Sequence, residues 1–134
     1  MRYINPSTGV APPKGSYSHI AIGSGSEIVG LAGQVALDSD GALVGDGDVA
    51  SQTSQALRNV SRLLAELDLS WSSILSLRTY IVGAEHLSGF RSVVSAFVAD
   101  TFGDGLPPPN TLVVVSALAR PEFLVEIEAL AVRP

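Results

Sequence analysis

Cysteine is absent from the 134-residue chain, and lysine occurs once, at Lys14. Without cysteine there is no disulfide framework, no thiolate nucleophile and no cysteine-ligated metal site. Positive charge is also scarce, since 8 Lys and Arg stand against 13 Asp and Glu, with a net charge of −5 and a pI of about 4.8. No basic stripe runs along the sequence, so we expect no nucleic-acid partner.

Long apolar runs are missing as well. The chain is 46% apolar, with a mean hydropathy of +0.35, yet no run approaches the roughly 20 residues of a membrane span. This apolar content is too high for a disordered chain, and the length suits one domain over residues 1–134. The first residues do not resemble a secretory signal, so we expect a soluble, cytoplasmic protein with no membrane partner.

Motifs for metal or nucleophilic chemistry are weak. The two histidines, His19 and His86, lack the spacing of a metal site. No G-x-S-x-G elbow supports a serine hydrolase. The Gly-Ser-Gly-Ser run at 23–26 lacks the spacing of a phosphate loop and favours a hairpin turn. We therefore expect no metal and no cofactor.

The apolar periodicity predicts five strands and two helices. Residues 1–15, rich in proline and glycine, predict an irregular arm. Strands are expected over 16–22, 27–33, 74–82, 111–118 and 123–132, the first two joined as a β-hairpin. Helices are expected over about 49–67, with Asp48 as the N-cap, and from Ser88 to Gly103.

This order, ββαβαββ, predicts a single α+β domain in which two helices cover one face of a mixed β-sheet. The strand at 111–118 is apolar on both faces, which normally means burial from both sides, and no third helix is available. We expect a homo-oligomer packed through the open sheet face. The alternative is a sheet that curls and closes on itself.

The most informative acids are Glu126 and Glu128. Alternation along a strand puts both on one face, about 6.6–7 Å apart. If that face is buried, at least one needs a partner or a raised pKa, which would make it a useful proton acceptor. The alternative is that both lie at the solvated mouth of the sheet or pair with arginines.

Two further residues are open to two interpretations each. Tyr17 is either an ordinary amphipathic aromatic of the first strand or, if a cleft adjoins it, a hydrogen-bonding group for a ligand. Asn110 follows three prolines, and this rigid bend either aims its amide across a pocket or makes it a turn residue that caps the strand.

Six motifs together resemble the RidA/YjgF family, also called endoribonuclease L-PSP-like proteins or reactive-intermediate deaminases. They are G-S-Y at 15–17, A-G-Q at 32–34, D-x-D-G at 38–41, Q-x-x-Q-A-L-R-N-V at 52–60, P-x-N-T at 108–111 and V-E-I-E-A-L-A-V at 125–132. No single motif is decisive, but their order and spacing cover nearly the whole chain. The resemblance implies a YjgF-like, chorismate-mutase-like unit that forms a homotrimer, with the sheets as an inner barrel and ligand clefts between subunits.

The resemblance also implies an activity. In RidA-type members, an arginine on a P-x-R-[ST] segment grips the carboxylate of a 2-imino acid, a glutamate positions the attacking water, and ammonia is released. By this resemblance, Glu126 occupies the glutamate position and Tyr17 matches the cleft tyrosine, so both are expected to be catalytic. Gly33 matches a backbone contact beside the ligand, and Phe90 matches a pocket wall.

Four positions depart from the family pattern. Asn110 stands where the arginine is expected, Val94 where an asparagine is expected, Leu112 where a small polar or thiol side chain is common, and Ala32 where a hydroxyl residue often precedes the glycine. Asparagine cannot form a charged, bidentate clamp on a carboxylate. Charge-assisted bonds contribute roughly 1.5–3 kcal/mol each, so imino-acid binding is expected to weaken by roughly one to four orders of magnitude.

We therefore expect a hydrolase of the imine or enamine deaminase kind, acting on a small molecule that is neutral or differently anchored. The alternative is a non-catalytic trimer that binds a metabolite. RNA cleavage ranks last because of the low pI. Arg78 and Arg91 are candidates to replace the missing arginine, although surface positions are expected for both.

Overall fold

The computed structural model describes residues 1–134 and contains six strands and two helices. The strands are β1 (Arg2–Ile4), β2 (Ile20–Ile22), β3 (Glu27–Gln34), β4 (Ile74–Val82), β5 (Asn110–Val115) and β6 (Val125–Arg133). The helices are α1 (Val49–Ala65) and α2 (Leu87–Phe102). Neither helix is long and apolar enough to cross a membrane.

Four strands form the main sheet, in the order β3-β6-β4-β5. β6 runs antiparallel to both of its neighbours, whereas β4 and β5 are parallel and are joined by the crossover through α2. Both helices pack on one face of this mixed sheet, which confirms the predicted α+β class. β3 and β5 are free edges, so the alternative of a sheet closed on itself is wrong.

The sequence-based prediction fails at the N-terminus. β2 pairs with β1 rather than with β3, so the predicted hairpin of β2 and β3 does not form. The N-terminal arm, predicted to be irregular, contains the strand β1. The Tyr3 hydroxyl donates a hydrogen bond to the Ile74 carbonyl at 2.6 Å, which holds β1 against the start of β4. The predicted strand at 16–22 is shortened because Ser18 bonds instead to the carbonyls of Pro107 and Pro108.

Longer elements agree with the prediction. Asp48 caps α1 by accepting a hydrogen bond from the Ala50 backbone N–H at 3.0 Å. β4 has the predicted bounds, and α2 ends at Gly103, whose φ of 55° favours glycine. The last two strands are each displaced or shortened by a few residues.

The core lies between the helices and one face of the sheet. Its fully buried side chains include Val60 and Leu64 of α1, with Ile74, Ile81 and Ile127 of the central strands. The opposite, open face is different: Ile28 is 79% exposed, Val113 42% and Leu130 37%. These exposed apolar side chains are what an oligomer through this face would cover.

Candidate functional site

A cleft of about 450 Å³ opens beside α2, between that helix, the segment before β2 and the start of β5. Five of the eight predicted site residues line it: Tyr17, Phe90, Val94, Asn110 and Leu112. Its other lining residues are Lys14, Gly15, Ser16, Arg91 and Ser95. The fold therefore brings most of the predicted site residues together.

Tyr17 is held in the cleft by the segment that contains it. Its hydroxyl oxygen accepts a hydrogen bond from the Lys14 backbone N–H at 3.3 Å, and its ring meets the His19 ring edge to face. Ser18, the next residue, is buried and donates to the Pro107 carbonyl at 2.5 Å. The Tyr17 hydroxyl donates no hydrogen bond within the chain, so its hydrogen is available to a ligand.

Asn110 is the first residue of β5 and a lining residue of the cleft, and its side chain makes no capping hydrogen bond to its own strand. Its Oδ1 accepts a hydrogen bond from the hydroxyl of Thr79 at 3.1 Å. Thr79 is 1% exposed, and this is the only hydrogen bond of its side chain. One of the two acceptor sites of the amide oxygen is thereby used, and the NH₂ group of Asn110 makes no hydrogen bond within the chain.

The other predicted residues form apolar walls. Phe90 and Val94 lie four positions apart on α2 and therefore share one helix face. Phe90 is only 3% exposed, whereas Val94 and Leu112 are half-buried. Behind Asn110, a second cavity of about 30 Å³ extends toward Phe97 in the core and is mostly apolar.

Glu126 lies on the opposite face of the sheet. On β6 it stands in register with Tyr80 of β4, and its carboxylate makes no hydrogen bond or ion pair within the chain. Gly33 of β3 is directly beside it, since a Cβ at Gly33 would lie 2.7 Å from the Glu126 Cδ. Ala32 is exposed next to Gly33, in the irregular end of the β3–β6 pairing.

Glu128 follows the alternative prediction and pairs with an arginine. Its Oε1 is 3.1 Å from the Arg78 Nη1, and it accepts a hydrogen bond from the Tyr80 hydroxyl at 3.3 Å. Partial burial of the phenol, followed by the negative charge of Glu128, raises the pKa of Tyr80. The two acids are therefore distinct: Glu128 is paired, and Glu126 is free.

The predicted site thus falls into two groups on opposite faces. Tyr17 and Asn110 lie in the cleft on the helix-covered side, whereas Glu126 and Gly33 lie on the open face. One chain does not bring Tyr17 and Glu126 into a single pocket. No group of three or more histidine or acidic side chains is arranged to hold a metal ion.

Arg91 is exposed, as expected for a surface arginine, and it also lines the cleft. It lies on α2 next to Phe90 and lines the same cleft as Tyr17 and Asn110. Arg78 lies on the open face in its pair with Glu128. No pattern along α2 indicates that Arg91 lines the cleft, because neighbouring positions of a helix point in different directions and the cleft forms only where α2, the segment before β2 and β5 meet.

Two helices on one face of a mixed sheet, with a cleft beside the second helix, make this chain an α+β domain with a candidate ligand-binding cleft. The family model for endoribonuclease L-PSP matches residues 8–133. The chain therefore belongs to this family, which confirms the RidA/YjgF resemblance.

Individual relatives agree with this assignment. A RutC family protein of Synechocystis is 30% identical over 95% of this chain and 94% of its own length. The crystal structure of a Rid family protein of unknown function from Yersinia pestis matches with a TM-score of 0.85 and 34% identity, covering 98% and 97% of the two chains. The YjgF gene product of E. coli, at 22% identity and a TM-score of 0.71 over 100% of both chains, shows the same fold.

Proposed function

We propose that this protein is a small-molecule hydrolase that deaminates an imine- or enamine-type metabolite, with a specificity altered by Asn110. The observation that carries the proposal is the position of Asn110 in the cleft beside Tyr17, where the family resemblance expects an arginine. The reaction adds water to a C=N bond and releases a carbonyl compound and ammonia. The amide of Asn110 changes how the substrate is held without removing the cleft.

A homotrimer accounts for the separation of the two groups of residues. Packing the open faces of three sheets together would cover Ile28, Val113 and Leu130, which one chain leaves exposed. In such an inner barrel, the Glu126 of one subunit can meet the cleft of a neighbour. This arrangement supports clefts between subunits as the reaction sites.

Each group has a role that fits its surroundings. The free Glu126 carboxylate is suited to accept a proton from, and so to orient, the attacking water. The Tyr17 hydroxyl and the Asn110 NH₂ group are hydrogen-bond donors for the substrate. Phe90, Val94 and Leu112 supply apolar walls.

Ammonia release from a panel of 2-imino acids generated in situ tests the altered specificity. We expect weak turnover by the wild type and at least a tenfold gain by Asn110→Arg, because the guanidinium restores a charged clamp. Asn110→Ala is the matched control and should show no gain. If the wild type already hydrolyses the panel as fast as the arginine variant, the specificity proposal is wrong.

Glu126→Gln and Glu128→Gln form a second matched pair, since both change an acid of the same strand face. We expect turnover to fall at least a hundredfold for Glu126→Gln and severalfold at most for Glu128→Gln, whose carboxylate already pairs with Arg78. Full turnover by Glu126→Gln on a substrate of the wild type would refute the catalytic role.

A non-catalytic trimer that binds a metabolite is the second candidate. It is favoured by the fact that Glu126 lies outside the cleft of its own chain. Ligand extraction distinguishes the two functions: a compound that leaves the cleft chemically unchanged after prolonged incubation indicates a binding protein, whereas its carbonyl product indicates a hydrolase.

A further inference from the structure

We propose that Arg91, on α2, is the oxyanion-binding residue of the cleft, and that it grips a carboxylate or phosphate group of the ligand. The inference deepens the proposed function by naming the charge of the ligand, and it rests on that proposal for the cleft being the ligand site. The positive charge that anchors the ligand is then on α2, rather than at the start of β5 where the family resemblance expects an arginine.

The charge of the cleft supports an anionic ligand. Its ten lining residues include two cations, Arg91 and Lys14, and no aspartate or glutamate. This local excess of positive charge occurs in a chain whose net charge is −5. The guanidinium of Arg91 is in no ion pair of the chain, since the three salt bridges use Arg78, Arg120 and Arg133.

The uncharged polar groups of the cleft favour the same ligand. One acceptor site of the Asn110 oxygen is used by Thr79, the oxygen of Tyr17 accepts from a backbone N–H, and neither side chain donates a hydrogen bond within the chain. Both side chains are therefore left with hydrogens to donate. Together with Arg91 they present donors, and an oxyanion is the group that can accept several hydrogen bonds at once.

Arg78, the other candidate, does not fit this role. It lies on the open face, opposite Glu128 in the β4–β6 register, and its guanidinium is engaged by that carboxylate at 3.1 Å. The walls next to Arg91 are apolar, with Phe90, Val94 and Leu112. The ligand we expect is therefore an oxyanion attached to a short apolar body.

Binding of three small probes tests this without any turnover. Butanoate, ethyl phosphate and the neutral isostere butanamide are titrated into the full-length protein, and affinities are read from amide chemical shifts in NMR spectra. We expect at least one anion to bind roughly tenfold or more tightly than butanamide, the range that charge-assisted bonds give. The tighter of the two anions identifies the ligand as a carboxylate or a phosphate.

Variants then assign the preference to one side chain. Arg91→Gln should abolish the preference, so that each anion binds no more tightly than butanamide does to the same variant. Arg91→Lys should keep part of it. Arg62→Gln, an exposed arginine of α1 outside the cleft, is the matched control and should behave as the wild type. The double variant with Arg91→Gln and Asn110→Arg should regain anion binding, which also shows that the cleft is still folded.

The outcomes separate this inference from the proposed function. A wild type without a preference for an anion, or an Arg91→Gln variant that retains it, overturns the role of Arg91. If no imine or enamine is hydrolysed but the anion preference still depends on Arg91, the deaminase proposal fails and the oxyanion site stands.

Discussion

At the residue scale, the absence of a side chain at Gly33 leaves room for the side chain of Glu126. Any Cβ at Gly33 would overlap the carboxylate of Glu126. The carboxylate is the mobile end of a long side chain, so an added methyl group should displace it rather than unfold the strand. The pattern along β3 did not reveal this contact, because it depends on the register between β3 and β6.

We predict that Gly33→Ala lowers turnover at least tenfold and changes the thermal midpoint by only a few degrees. The reason is that the methyl group moves the Glu126 carboxylate from its place beside the backbone. Gly30→Ala is the matched control, because within one chain a Cβ at Gly30 of the same strand meets nothing within 4 Å. Gly30 faces Leu130 on the open face, so native mass spectrometry should first show that this variant keeps the wild-type assembly state. Equal turnover in the two variants would contradict the explanation.

Tyr3 gives a prediction about pH. Burial raises the pKa of Tyr3 to about 12, from an ordinary value of 10. The folded state therefore binds the phenolic proton of Tyr3 more tightly than the unfolded state does. The stability that protonated Tyr3 contributes is fully present below pH 10 and is lost as the pH rises toward 12. Urea unfolding at pH 8, 10 and 11 measures the slope.

Tyr3→Phe should lose about 1 kcal/mol at pH 8, because the hydrogen bond to the Ile74 carbonyl is removed. Above pH 10 the stability of the variant should decline less steeply than that of the wild type. Parallel pH profiles for the two proteins would show that Tyr3 is not the group that titrates.

At the element scale, α1 and β4 were predictable and the β1–β2 pair was not. α1 has a long apolar period and an N-cap at Asp48, and β4 has nine residues of strand-forming sequence. β1 and β2 have three residues each, which is too short for a pattern. Their pairing depends on distant contacts such as that of Tyr3 with Ile74.

Sequence-based prediction of the candidate site is limited in the same way, because part of it depends on contacts between distant segments. Motif order singled out Tyr17, Asn110 and Glu126, and the structure brings Tyr17 and Asn110 into one cleft but leaves Glu126 on the other face of the sheet. The difference between Glu126 and Glu128 depends on which β4 residue each one faces, and the place of Arg91 depends on how α2 packs. Neither property is contained in the spacing of residues along one element.

Gln52 connects α1 to the segment that leads into β6. It is fully buried, donates to the carbonyls of Gly45 and Glu122, and accepts a hydrogen bond from the Leu124 N–H at 2.9 Å. We predict that Gln52→Leu lowers the free energy of unfolding by about 3 kcal/mol, since buried backbone groups lose their partners. Chemical denaturation measures it, and the exposed Ser54→Ala on the same helix should change stability by less than about 0.5 kcal/mol.

At the scale of the whole molecule, the proposed trimer depends on the open face of the sheet. The proposed trimer covers Val113, whereas Ala96 is exposed on α2, on the other side of the domain. We predict that Val113→Lys reduces the mass in native mass spectrometry from three chains to one, because it places a charge in the apolar interface. Ala96→Lys should remain trimeric. A trimeric Val113→Lys variant would show that chains do not associate through this face.

Because the sheet separates Tyr17 from Glu126, inactive variants of this protein can be tested for complementation between subunits. If each reaction site takes its tyrosine from one subunit and its glutamate from another, two inactive variants can complement each other. Mixed trimers of Tyr17→Phe and Glu126→Gln, formed by unfolding and refolding the two proteins together, would then contain some sites with both native side chains. The mixture should recover a fraction of wild-type activity that neither variant has alone. Diluting the wild-type protein until its subunits dissociate should abolish turnover.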